Sequence, residues 1–87
     1  MATKVQTYYV YMLRCVGDTL YTGVTNNVER RFAVHQSGKG AKYTRAHPPI
    51  EVIYVEKCKG RGKAQVREAE IKKLSHAEKC RLATFKV

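Results

Sequence analysis

Two short apolar segments rich in tyrosine, residues 8–15 and 20–25, are separated by four residues that include Gly17 and Asp18. Aromatic and β-branched residues favour extended strands, and glycine and aspartate in a short connection favour a tight turn. The pattern therefore predicts a β-hairpin near the start of the chain, and the rest of the fold has to be built around that hairpin.

The register of this hairpin decides which tyrosines lie together. An odd-numbered connection centred on Gly17 places Tyr11 opposite Gly23, with Tyr21 diagonal to Tyr11 on the same face. An even-numbered connection moves the two phenols to opposite faces of the sheet. The sequence is compatible with both registers.

A helix, a third strand and two further helices are predicted after the hairpin. Asn26 and Glu29 have the spacing of a capping box that opens the first helix, and glycines within residues 37–40 end it. A short helical turn is predicted at 41–45, a third strand at 50–56, a basic loop at 57–62 and a helix at 63–74. A capping box at 75–78 begins a last helix, which ends near residue 84. Bulky apolar residues on both faces of the third strand predict a central position in the sheet. The predicted fold class is α+β, a three-stranded antiparallel sheet flanked by helices.

The length of 87 residues is that of one small domain. We expect its core to span about residues 7–82, with tails at 1–6 and 84–87. Residues 1–7 have no apolar segment typical of a signal peptide, and no apolar run approaches the roughly 20 residues of a membrane helix. We therefore expect a cytoplasmic protein without a membrane partner.

The charge of the chain is strongly positive. Seventeen Lys and Arg against seven Asp and Glu give a formal net charge of +10. Such a surface attracts polyanions and favours nucleic acid as a partner, although a basic surface kept only for solubility has the same composition.

The three cysteines, Cys15, Cys58 and Cys80, are widely spaced and form no C-x-x-C pair. This spacing argues against a zinc site and against a disulfide framework. We expect reduced thiols.

A carboxylate interrupts the apolar stripe of the helix predicted at 63–74. Glu68 lies at helical spacing from Ala64 and Ile71, on the face that should point inward. A carboxylate at such a position is costly without a cation or a hydrogen-bond donor. An ion pair with Lys72, at i+4, is the structural alternative to a functional role.

The residues quoted so far resemble the GIY-YIG nucleases over nearly the whole chain. The two family tripeptides correspond to residues 9–11 (Tyr-Val-Tyr) and 21–23 (Tyr-Thr-Gly), and the family arginine, histidine and glutamate correspond to Arg31, His35 and Glu68. Residues 40–45 and 70–74 are similar to the small stand-alone YhbQ-like group, and the chain shares features with the nuclease domains of structure-selective resolvases and of UvrC. Two positions depart from the pattern: Tyr9 replaces a glycine, and Val24 replaces a lysine that some members carry.

The resemblance implies a metal-dependent DNA endonuclease. Glu68 would hold one Mg²⁺ or Mn²⁺ ion, Arg31 would hold the scissile phosphate, and Tyr11 or Tyr21 would activate the attacking water. His35 would either orient a tyrosine or contact the phosphate. Branched, flapped or single-stranded DNA is the expected substrate, and the absence of a lysine at Val24 predicts slow cleavage. The basic residues expected to contact nucleic acid are Arg30, Lys39, Lys42, Lys57, Lys59 and Arg61.

Two other functions remain open at this point. One is a non-catalytic, basic nucleic-acid-binding module that keeps the fold without efficient chemistry. The other is a basic protein that binds another macromolecular surface, such as that of a nucleoprotein.

Overall fold

A three-stranded antiparallel sheet in the order β2–β1–β3 organises the part of the chain that the computed structural model describes, residues 6–84. The strands are β1 (Thr7–Cys15), β2 (Thr19–Thr25) and β3 (Pro49–Lys59). The predicted α+β class with three antiparallel strands is confirmed. The predicted tails at 1–6 and 84–87 lie outside the described residues except for Gln6 and Thr84.

The hairpin takes the odd-numbered register. Tyr11 pairs with Gly23 and Leu13 pairs with Tyr21, so the connection is centred on Gly17. Tyr11 and Tyr21 therefore share a face, and their ring centroids lie 6.3 Å apart.

The prediction that the third strand is central is wrong. The central strand is β1, whose apolar residues are buried on both faces, whereas β3 pairs, among residues 6–84, only with β1 and carries exposed charges such as Glu51 and Lys57. The predicted basic loop at 57–62 is also wrong. Lys57 and Lys59 belong to β3, which continues three residues beyond its predicted end because β1 supplies a partner that far, and the next helix begins at Arg61.

A register shift changes the faces of β3. Met12 pairs with Tyr54 and Leu13 pairs with Val52, so Ile53 is an extra residue in the ladder. Such a bulge reverses the alternation of side chains beyond it. Val52 consequently packs in the same cluster as Val55, and Ile53 packs in the cluster of Tyr54, whereas strict alternation predicts the opposite grouping.

Within the described residues, four helices surround the sheet: α1 (Val28–Gln36), α2 (Lys42–Ala46), α3 (Arg61–Lys72) and α4 (His76–Thr84). The N-cap of α1 is Asn27 rather than the predicted Asn26, because Asn27 Oδ1 accepts the Arg30 backbone N–H at 3.0 Å. The predicted capping box of α4 is confirmed, since Ser75 and Glu78 exchange backbone-to-side-chain hydrogen bonds of 2.9 and 3.1 Å.

The two faces of the sheet carry separate apolar clusters. One cluster joins β1 to α3 and the other joins β1 to α1, so these two helices cover opposite faces. The buried residues of the first are Val10, Met12, Tyr54, Ala64 and Ile71, and those of the second are Tyr11, Leu13 and Cys15, against which Val28 and Phe32 of α1 pack. None of the helices in the described part of the chain is long and apolar enough to cross a membrane.

An ion pair fixes the rotation of α3 against the sheet. Arg67 Nε donates to both carboxylate oxygens of Glu56 at 3.0 and 3.1 Å, and the Tyr54 hydroxyl donates to the same carboxylate at 2.6 Å. A charge-assisted bond shared by two oxygens is directional. Because α3 is held in this rotation, the next residue, Glu68, has a defined position at the edge of the sheet.

Candidate active site

A cleft of about 470 Å³ lies at the edge of the sheet formed by β2. Residues from β1, β2, α1 and α3 line it, so it collects side chains that are far apart in the sequence. Its polar and aromatic lining consists of Tyr8, Tyr11, Tyr21, Thr25, Asn26, Arg30, Arg31, Arg61, Gln65 and Glu68, together with Gly23.

Gly23 makes room for Tyr11. A Cβ atom at Gly23 would lie 2.6 Å from Tyr11 Oη and 2.8 Å from Tyr11 Cζ, closer than van der Waals contact allows. The Tyr11 phenol therefore crosses β2 at Gly23, the one residue of that strand without a side chain. This crossing brings its hydroxyl into the cleft lined by Arg31 and Glu68, and it explains why the hairpin register matters for the site.

His35 is hydrogen-bonded to the Tyr11 hydroxyl from outside the cleft. Tyr11 Oη lies 2.9 Å from His35 Nε2, and the exposed fraction of each residue is 1%. His35 Nδ1 lies 2.7 Å from Thr44 Oγ1. Since His35 is buried and does not line the cleft, this geometry supports the orientation of a tyrosine and opposes direct contact with phosphate, the two roles that the resemblance left open for it.

The electrostatic environment keeps both groups neutral at neutral pH. The pKa of Tyr11 is raised to about 12, mainly by burial and then by the nearby Tyr21; Arg31 lowers this pKa and Glu68 raises it. Burial, and then the charge of Arg31, lowers the pKa of His35. A neutral phenol therefore faces a neutral imidazole.

Tyr21 stands beside this pair in a row of aromatic rings. Its ring stacks on Tyr43 with centroids 6.1 Å apart, and Tyr43 stacks on His47 with centroids 4.7 Å apart. Tyr43 is 38% exposed. The row leads outward from the cleft along α2.

Glu68 offers a single carboxylate to the cleft. Its side chain is 23% exposed and pairs with Lys72 Nζ at 3.2 Å, the i,i+4 pair that the sequence allows. Residues 6–84 contain no group of three or more His, Cys, Asp or Glu suited to holding a metal ion. One partly exposed carboxylate fits Mg²⁺ or Mn²⁺, which are commonly held by one or two carboxylates together with waters and substrate phosphate oxygens.

The basic residues divide into two groups. Arg30, Arg31 and Arg61 line the cleft. The four lysines expected to contact nucleic acid do not: Lys39 follows α1, Lys42 begins α2, and Lys57 and Lys59 lie on β3, the opposite edge of the sheet.

Sequence reasoning did not single out several residues that build the site. Tyr8 and Gln65 line the cleft, and Thr44 contacts His35. The similarity of residues 40–45 to the small stand-alone group marks the segment that contains Thr44. No signal in the sequence distinguishes Tyr8 and Gln65 from ordinary strand and helix residues. The three cysteines are free thiols, with Cys15 buried and Cys80 exposed.

Comparison with known proteins gives consistent matches. The model of the family described as the GIY-YIG catalytic domain matches residues 7–81. The UPF0213 protein of Natronomonas pharaonis is 53% identical over 75 residues, which cover 86% of this chain and 88% of that protein. The UPF0213 protein of Oceanobacillus iheyensis is 50% identical over 78 residues, which cover 90% and 91%.

Two solved structures are also similar. The solution NMR structure of a UPF0213 protein from Bacillus halodurans is 40% identical with a TM-score of 0.59, and the match covers 92% of this chain and 85% of that one. The solution NMR structure of a protein from E. faecalis is 39% identical with a TM-score of 0.60, and the match covers 97% and 91%.

Proposed function

The chain belongs to the GIY-YIG family of nuclease domains, and we propose that it is a metal-dependent endonuclease that hydrolyses phosphodiester bonds in DNA. The observation that carries the proposal is the cleft itself. Three phenols, three guanidinium groups and one carboxylate converge there from four different elements. Metal-dependent phosphodiester hydrolysis uses a base, a cationic phosphate site and a group that holds a metal ion, and this cleft contains candidates for each.

Tyr11 is the general base in this proposal. Its hydroxyl reaches the cleft and is hydrogen-bonded to His35 Nε2. Ionising a phenol with a pKa of about 12 at neutral pH costs about 7 kcal/mol. Tyr11 avoids this cost if it passes its own proton to His35 Nε2 while its oxygen takes a proton from the attacking water. The water loses one proton, Tyr11 stays neutral, and His35 becomes an imidazolium.

Tyr21 has a different role. Its ring lies 5.1 Å from that of His35, measured between centroids, and it packs against Tyr11 and Tyr43. Tyr21 has no hydrogen bond to the imidazole, so it lacks the proton acceptor that Tyr11 has. We assign it to shaping the cleft and to contacting the substrate.

The arginines bind the phosphate. Arg31 is half-buried in the cleft, and Arg30 and Arg61 flank it from α1 and from the start of α3. A guanidinium group donates to two phosphate oxygens in a fixed geometry, which orients the scissile group for in-line attack. Arg31 also opposes ionisation of His35 in the absence of substrate, and the single negative charge of a bound phosphodiester would offset that charge.

Glu68 would hold the metal ion. A divalent cation bound there supplies Lewis-acid neutralisation of the phosphate and of the leaving oxygen. The Lys72 ammonium, 3.2 Å from the Glu68 carboxylate, balances its charge before a cation binds.

Branched, flapped or single-stranded DNA is the preferred substrate in this proposal. The row formed by Tyr21, Tyr43 and His47 leads away from the cleft. Aromatic rings next to a cationic groove favour unpaired bases, because stacking on a base contributes about 1–3 kcal/mol and needs the base to be outside a duplex.

The test is cleavage of a matched panel of end-labelled DNAs, namely duplex, flap, branched and single strand, with Mg²⁺, Mn²⁺ or a chelator. We expect cleavage that requires a cation and is faster on the substrates with unpaired bases. Tight binding to the whole panel without cleavage under any cation would instead support a non-catalytic binding module.

A further inference from the structure

The segment between α1 and the end of α2 packs directly on the catalytic imidazole. Gly40 approaches so closely that a Cβ atom there would overlap His35 Nδ1 and would lie 2.9 Å from His35 Cα. Thr44, which is 1% exposed, contacts the same nitrogen at 2.7 Å. This segment therefore surrounds the side of His35 that faces away from Tyr11.

A backbone carbonyl sets the direction of the hydrogen bonds in this segment. Thr44 Oγ1 lies 2.9 Å from the Ala41 carbonyl oxygen, which only accepts hydrogen bonds. The single hydroxyl hydrogen of Thr44 is used in that bond, so Thr44 Oγ1 can only accept from His35. It follows that His35 Nδ1 carries the hydrogen.

The rest of the chain of hydrogen bonds is then determined. A neutral imidazole has one N–H, and with that hydrogen on Nδ1 the other nitrogen, Nε2, is an acceptor. The Tyr11 hydroxyl must then donate to Nε2 across the 2.9 Å contact. The Tyr11 hydrogen points away from the cleft, and a lone pair of its oxygen points into the cleft.

The opposite tautomer is less favourable on geometric grounds. With the hydrogen on Nε2, Thr44 would have to donate to Nδ1, and its contact with the Ala41 carbonyl at 2.9 Å would bring two oxygens together without a hydrogen between them. One buried hydrogen bond would be lost, and the Tyr11 hydrogen would point into the cleft, where it would block the uptake of a proton.

We propose that Thr44, through the Ala41 carbonyl, is a positioning residue that holds His35 in the Nδ1–H tautomer and thereby orients the Tyr11 hydroxyl as a proton acceptor toward the cleft. The assignment of the tautomer stands on the hydrogen bonds alone, and its consequence for cleavage rests on the proposed function. Thr44 does not line the cleft, so it acts through His35 and not on the substrate.

The direct test is to determine the tautomer of His35. Two-bond ¹H–¹⁵N correlation spectra of protein with ¹⁵N-labelled histidine report it. The His35 signals are assigned by their absence in the His35→Gln protein. The parent should show His35 as Nδ1–H at neutral pH. An Nε2–H pattern in the parent would overturn the proposal, whether or not any variant folds or any DNA is cut.

Two substitutions at Thr44 provide the matched comparison. Thr44→Val keeps the shape of the side chain and removes the hydroxyl, whereas Thr44→Ser keeps the hydroxyl. We expect Thr44→Val to move His35 toward Nε2–H and to lower kcat by about 10-fold to 100-fold with KM nearly unchanged, by analogy with the loss found when the hydrogen-bond partner of a metal-bound histidine is removed. Thr44→Ser should retain the parental tautomer and most of kcat.

The outcomes separate this inference from the proposed function. If the parent does not cleave any DNA, the nuclease proposal fails while the tautomer measurement still decides the role of Thr44. If Thr44→Val is folded, keeps the Nδ1–H pattern and cleaves as fast as the parent, the role of Thr44 is wrong and the nuclease proposal stands.

Discussion

Tyr11 Oη and His35 Nε2 are hydrogen-bonded at 2.9 Å although 24 residues separate them in the chain. This bond connects the central strand to α1 across a buried contact. Tyr11 lines the cleft, and His35 is shielded from it. In the mechanism that we propose, this arrangement lets a proton pass from the cleft to His35.

Removing the two phenolic hydroxyls separately distinguishes their roles. Tyr11→Phe should lower kcat by about 10² to 10⁴, the usual contribution of a general base. Tyr21→Phe keeps the ring that packs against Tyr11 and should retain more of the rate. Single-turnover cleavage measures both variants, and thermal unfolding checks that each is folded. A larger loss in Tyr21→Phe than in Tyr11→Phe would reverse the assignment of the base.

A methyl group at Gly23 should displace the Tyr11 phenol. The added Cβ would lie 2.6 Å from Tyr11 Oη, and overpacking of this kind costs about 1–3 kcal/mol. Gly23→Ala should therefore lower both the free energy of unfolding and the cleavage rate. Gly62→Ala is the matched control, because a Cβ there meets nothing within 4 Å. Equal behaviour of the two variants in denaturant unfolding and cleavage would contradict the crossing of Tyr11 over Gly23.

The stability of the protein should decrease on mild acidification because of His35. Burial and the charge of Arg31 lower its pKa in the folded protein below 6.5, the ordinary value that applies to the unfolded chain. The unfolded chain then binds a proton that the folded protein does not. The stabilisation is complete above about pH 6.5 and is lost as the pH falls through the folded-state pKa.

Urea unfolding at a series of pH values measures this effect. The parent should lose free energy of unfolding as the pH falls below about 6.5, and His35→Gln should have a flatter profile in that window. Glu78, whose pKa is lowered from 4.5 by its hydrogen bonds to Ser75, contributes only at more acidic pH. Identical slopes for the parent and His35→Gln would contradict the neutral, buried state of His35.

The sequence predicted most of the elements because local signals encode them. The hairpin, the capping box at Ser75 and the ends of α4 depend on residues close together in the chain, and they were predicted within a few residues. The position of β3 at the sheet edge and the bulge at Ile53 depend on pairing with β1, which no local pattern reports. For the same reason the sequence predicts a loop for the basic residues at 57–59, which belong to β3.

The candidate site was predicted only in part. Resemblance marked Tyr11, Tyr21, Arg31, His35 and Glu68, and the structure brings all but His35 to the lining of one cleft, with His35 bonded behind Tyr11. The register that joins Tyr11 to Gly23 was open in the sequence, because a turn of odd or even length satisfied the same pattern. The contact of Thr44 with His35 depends on the path of the chain between α1 and α2, which is a tertiary property.

Binding to DNA should depend more on the arginines of the cleft than on the lysines of β3. Arg61 lines the cleft, whereas Lys57 is exposed on the opposite edge of the sheet. Arg61→Gln should weaken binding and reduce the slope of log K against log salt by about 1, as expected for one lost phosphate contact. Lys57→Gln removes the same charge and should have a smaller effect. Fluorescence anisotropy with labelled DNA at several salt concentrations measures both, and a larger effect of Lys57→Gln would place the DNA on the other edge.

The most direct test of the account is metal-dependent cleavage by the parent and by Glu68→Gln on the same flap and single-stranded DNAs. Glu68→Gln keeps the shape of the side chain at the cleft and removes the charge that would hold a divalent cation. We expect cleavage by the parent with Mg²⁺ or Mn²⁺, no cleavage with chelator, and a loss of most cleavage in Glu68→Gln while its DNA affinity stays close to that of the parent. Equal cleavage by the two proteins would contradict the role of Glu68, and a parent that cleaves none of these DNAs with either cation would contradict the nuclease function.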